Sequence, residues 1–118
     1  MWVEELPKTK YFEIEGIRNA GISVDVALTT EAAMTKLSDQ EVKYDLIISS
    51  MYRKELGIKR PNAGLALIKK LKNAGINLPI IIYCSSQNSK RTAKELQSEG
   101  QFITHSPLTL FHWLVETP

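Results

Sequence analysis

The sequence predicts an α/β domain with a doubly wound parallel sheet, and three observations lead there. Short β-like runs alternate strictly with helix-length segments. Two of those runs, Leu46 to Ile48 and Ile80 to Ile82, are apolar without polar alternation, as strands covered by helices on both faces must be. The predicted helices carry apolar stripes on one side only.

Taken in order, Trp2–Val3 is a weak first strand, and a helix follows over Lys8 to Ala20, closed by Gly21. Ile22 to Leu28 reads as the second strand. Thr30 is expected to cap a helix over Glu31 to Glu41. Asp45 to Ser49 is the third strand, and a helix over Ala63 to Ala74 ends at Gly75. Leu78 to Cys84 forms the fourth strand, and a charged, shallowly docked helix is expected from Asn88 to Glu99. Gln101 to Thr104 completes the strands, and Pro107 after Ser106 opens the last helix. Candidate core positions are Ile14 and Ile17, then Ala33, Met34 and Leu37, then Leu67, Ile68 and Leu71.

Composition narrows the function. The 118 residues suit one domain, so a single unit over 1–118 is expected. A 43% apolar and 24% charged composition is that of a folding globular chain. A net charge of +2 demands neither nucleic acid nor membrane as partner. Cys84 is the only cysteine, which excludes an intramolecular disulfide and suits a reducing compartment; with no leader-like segment, the cytoplasm is expected.

Sheets of this kind bind ligands outside the carboxyl ends of their strands. The tips there are Glu4-Glu5, Ser49-Ser50, Cys84-Ser85-Ser86 and His105-Ser106. With these tips, and with Tyr44 to Met51 and Leu78 to Ser85 as strand motifs, the whole chain resembles the receiver domain of two-component response regulators. The resemblance implies a flavodoxin-like fold with five parallel strands in the order 2-1-3-4-5 and helices in layers on both faces.

It also implies a degenerate site. Glu4 and Glu5 match the acidic pair that binds magnesium in receivers. Ser50 takes the place of the phosphoacceptor aspartate, and Cys84 that of the conserved hydroxyl. Ser106 takes the place of the lysine, or His105 under a one-residue slip. The switch aromatic corresponds to Ile103, or to Phe102 under the same slip. An aspartyl phosphate needs a carboxylate nucleophile, a divalent ion and a lysine, and two of the three are missing. No metal, cofactor or enzymatic activity is therefore expected.

Two positive readings remain. In the leading one, the domain is a phosphorylation-independent pseudo-receiver that binds other proteins. Receivers make contacts through the fourth helix, fifth strand and fifth helix, where Lys90, Arg91, Lys94 and Trp113 are candidate partner residues and a homodimer is a further option. Helical spacing leaves Trp113 open as anchor or as core. In the alternative, the loop from Met51 to Gly64, longer than receivers usually have, overhangs the ligand end with Arg53, Lys54, Lys59 and Arg60. With Ser85 and Ser86 beneath, these would hold a small anion or nucleotide fragment. A flexible, solubilising loop is the plain reading of the same segment.

Overall fold

The computed structural model describes residues 1–39, 41–84 and 102–116. The segment expected to form the fourth helix, with Ser85, Ser86, Lys90, Arg91 and Lys94, lies outside the described residues. A parallel sheet is built from β1 (Trp2–Val3), β2 (Val26–Ala27), β3 (Ile47–Ser49), β6 (Ile80–Tyr83) and β7 (Phe102–Thr104). Its order is β2-β1-β3-β6-β7. With the hairpin β4 (Arg53–Glu55) and β5 (Ile58–Arg60) set aside, that is the 2-1-3-4-5 order expected from the sequence.

Strand alternation sends neighbouring side chains to opposite faces, and two cores result. Val3, Ile47, Ile80 and Ile82 pack with Ala33 of α2 (Thr30–Leu37) and with Leu67, Ile68 and Leu71 of α3 (Ala63–Asn73). Trp2, Ile48, Ile81 and Tyr83 pack on the other face with Ile14 and Ile17 of α1 (Tyr11–Asn19) and Leu110 of α4 (Pro107–Glu116). Ile47, Ile80 and Ile82 on one face and Ile48 and Ile81 on the other are all at most 5% exposed, which explains why β3 and β6 read as apolar without alternation.

The expected elements shift in three ways. The first helix opens as a 3-10 turn over Pro7–Lys10, because proline at its start supplies no amide and fixes φ. The cap of α2 is Thr29 rather than Thr30: its hydroxyl accepts from the Ala32 amide at 3.0 Å. Thr30 is buried and engaged elsewhere. The expected loop after β3 is an ordered hairpin instead. Its two-residue turn, Leu56-Gly57, has positive φ at both positions (52° and 80°), as a type I′ turn requires. Leucine is an unusual choice for such a position.

Candidate functional site at the carboxyl end of the sheet

The alternation of β4 builds the site's most committed group. Arg53 and Glu55 are two apart and point inward, while Lys54 between them is exposed. Arg53 is fully buried, and one terminal nitrogen donates to Ser49 Oγ at 2.6 Å and to the Ser50 carbonyl at 3.0 Å. The other donates to Thr30 Oγ1 at 2.9 Å and to the Ala63 carbonyl at 3.2 Å. Its Nε lies 3.6 Å from Glu55 Oε1, too long for a hydrogen bond but close for an ion pair. Glu55 in turn accepts from the Thr30 amide and from Thr30 Oγ1 at 2.8 Å. One ion pair thus ties the hairpin to the start of α2, the end of β3 and the start of α3.

Charge and burial compete at this cluster. Burial pushes the Glu55 carboxyl up, but the two Thr30 hydrogen bonds and the cations Arg53 and Arg60 outweigh it and hold it below its ordinary 4.5. Burial pulls the Arg53 guanidinium down from its ordinary value, opposed by Glu55, Glu4 and Glu31. Guanidinium is so basic that the charge remains.

Ser50 sits beside this cation. Its hydroxyl accepts from Arg53 at 3.3 Å and donates, at a long 3.4 Å, to the Val3 carbonyl. Next to it a cleft of about 380 Å³ opens, lined by Glu4, Lys10, Ser50, Met51, Tyr52, Tyr83, Cys84 and His105. The structure brings the expected Glu4, Ser50 and Cys84 together, one from each of three adjacent strand ends. Lys10, Tyr52 and Tyr83, which the sequence did not single out, line the same cleft. Lys10 sits 5.9 Å from the Tyr83 ring centroid, and Tyr83 meets Trp2 edge-on. Burial first, then Glu13, raise the Tyr83 hydroxyl to about 12, so it stays neutral. Proline at the first turn position, which swings Lys10 in on a 3-10 turn, was the available signal.

Several expected site residues stand elsewhere. Arg53 does not overhang the ligand end as a free cation, and Lys54, Lys59 and Arg60 are exposed on the hairpin and do not line the cleft. Glu5 is half-buried and off the cleft wall, so the acidic pair does not converge. Of the two residues aligned with the receiver lysine, His105 lines the cleft. Ser106 instead caps α4, its Oγ accepting from the Thr109 amide at 3.3 Å. Trp113 is half-buried and packs against the core with Phe111 and Leu114, and His112 is the exposed aromatic of that stretch. Ile103 packs half-buried against the opposite core. Among the described residues no three metal-ligating side chains gather, and no helix is long and apolar enough to cross a membrane.

Glu4 yields a testable pH dependence. It is 7% exposed, and burial raises its carboxyl above the ordinary 4.5, against the Leu6 amide and Lys10, which lower it. Above 4.5 the unfolded chain has released a proton that the native state still holds, so stability falls as pH rises through the window up to the raised value. Glu55 behaves oppositely: its contribution is complete above 4.5 and is lost as pH falls through its lowered value. Glu4→Gln should therefore raise the thermal midpoint near pH 7 and lose that advantage at about pH 3, where Glu4 is protonated in both states. A midpoint that drops near neutrality would show that ionised Glu4 is stabilising.

No protein-family model matches the chain, and no curated protein does. Among solved structures, the receiver domain of the Francisella response regulator 1452 superposes with a TM-score of 0.72. The two are 22% identical, and the match covers 92% of this chain and 86% of that one. The fold is that of a receiver domain.

Proposed function

We propose that the chain is a phosphorylation-independent pseudo-receiver, a regulatory module of signal transduction that acts by binding another protein and has no enzymatic activity of its own. One observation carries this reading: the end of β3, where a receiver keeps its acceptor carboxylate, is occupied by Ser50 and closed from behind by Arg53. A receiver answers that carboxylate with a bound divalent ion and a lysine, both open to a phosphoryl group, rather than with a buried guanidinium. This domain carries a permanent one, with hydrogen bonds already committed to Ser49, Ser50, Thr30 and Ala63. Ser50 has no acidic proton to lose at neutral pH, and its hydroxyl faces the Val3 carbonyl and Arg53.

An anion sensor is the weaker reading, because the three hairpin cations do not line the cleft and Glu4 does. The experiment is incubation with acetyl phosphate and, separately, with beryllofluoride and magnesium. We expect no phosphoryl mass increase and a midpoint shift below about 1 °C, since a ligand that does not bind the native state cannot stabilise it. A phosphorylated species, or magnesium-dependent stabilisation by beryllofluoride, would reject the proposal.

A further inference from the structure

We infer that the outer edge of β5 is a docking site for an extended, acidic segment of another protein, which pairs with it as an added strand. This inference rests on the interaction role proposed above and gives it a place. The β4–β5 pairing is Arg53↔Arg60, Lys54↔Lys59 and Glu55↔Ile58 around a two-residue turn. In such a hairpin the pair flanking the turn exchanges hydrogen bonds and the next pair does not. Lys59 therefore turns its amide and carbonyl away from β4. No other backbone group among the described residues bonds to them. All three residues of β5 are exposed.

An open edge normally invites pairing, and proteins that avoid it use short strands, bulges, covers or lysines that repel a like-charged edge. Here the edge is short and basic, which disfavours a like-charged edge and leaves it open to an acidic one. A two-stranded ribbon is marginal in isolation, and this one is anchored through the buried Arg53–Glu55 pair. Its tip presents Leu56 at 88% exposure and its edge Ile58 at 57%. Exposed aliphatic groups beside unpaired backbone are the components of strand-addition sites.

Charge identifies the occupant. The exposed side chains of the hairpin include Lys54, Lys59 and Arg60, whereas its one acid, Glu55, is buried. A second copy of this chain, pairing antiparallel about Lys59, would set Lys59 against Lys59, and like charges directly opposite are destabilising. A segment with acidic residues opposite Lys59 and Arg60, and an apolar one opposite Ile58, satisfies the edge and both faces.

The test uses the full chain and a fluorescein-labelled peptide of about nine residues that repeats valine–glutamate–aspartate. We expect saturable binding at low salt, weakened roughly tenfold or more by Lys59→Glu with Arg60→Glu. Lys59→Gln and Lys59→Pro both remove the charge, but only proline removes the outward amide, so Lys59→Pro should bind several-fold more weakly. Peptide should also slow hydrogen exchange of the Lys59 amide in the unmodified protein, a readout that does not depend on any variant folding. Absence of binding at about 1 mM peptide overturns the inference. So does equal binding of a sequence-scrambled acidic peptide, or equal affinity of Lys59→Gln and Lys59→Pro. Self-association abolished by Lys59→Glu would assign the edge to a second copy and overturn it as well. A negative result here, with beryllofluoride also silent, removes this surface and leaves the pseudo-receiver reading standing.

Discussion

Arg53→Met should lower the unfolding free energy by about 3–5 kcal/mol, the usual cost of removing one partner from a buried ion pair. The loss has little to do with the attraction between Arg53 and Glu55 alone. Glu55 is 2% exposed, and without Arg53 its charge would stay buried with only the Thr30 hydrogen bonds and the more distant Arg60 to hold it. Ser49 Oγ and the Ser50 and Ala63 carbonyls would lose their donor in the same step. The thermal midpoint should fall on the order of 10–20 °C for a chain of this size. Arg53→Met combined with Glu55→Leu should recover much of that loss, because an apolar pair of similar volume removes the stranded charge. Urea unfolding of the single and double variants decides it. A double variant as unstable as the single one would show that the hydrogen bonds, rather than the unpaired charge, carry the cost.

Gly64→Ala is the second large effect, and here two terms oppose each other. Alanine in a helix is favoured over glycine by about 1 kcal/mol. A Cβ on Gly64, however, would lie 2.9 Å from the Ser50 carbonyl oxygen, 3.3 Å from Met51 Cα and 2.9 Å from Ile82 Cδ1. The isoleucine methyl can rotate aside; the backbone of Ser50 and Met51 cannot, because the Gly64 amide is bonded to the Met51 carbonyl at 3.0 Å. Overpacking of this kind costs about 1–3 kcal/mol. The clash should therefore win, with a net loss on the order of 1 kcal/mol by chemical denaturation and displaced amide signals around Ser50. A stabilised variant would mean that α3 can slide away from the end of β3 at little cost.

The buried cation and the open edge belong to one device. Polar residues at 53 and 55 turn inward, which frees 54, 58, 59 and 60 for solvent and fixes the hairpin beside the strand ends. If Arg53→Met weakens the acidic peptide as strongly as Lys59→Glu does, the anchor and the edge are coupled through the rigidity of the ribbon.

Sequence by itself determined the alternation of strands and helices and the fully buried central strands, while the order of the sheet came with the resemblance to receivers. Apolar runs of period zero at Ile47–Ile48 and Ile80–Ile82, glycines after the first and third helices, and the serine–proline start of the last one are local signals, each set by neighbours a few residues away. That Ser50 ends the third strand was legible from the same local signals, and its match to the receiver aspartate only through the resemblance. Tertiary structure alone decided what surrounds Ser50. Four cations between Met51 and Gly64 look alike in sequence, yet only Arg53 is buried, because Glu55, Thr30 and the Ser49–Ser50 tip surround it with acceptors from several different elements. The turn at Leu56-Gly57 lacks the asparagine or aspartate that usually marks a type I′ hairpin, so the ribbon was invisible until its long-range ion pair was seen. Whether a charged side chain faces solvent or core depends on partners that the chain brings together only when it folds.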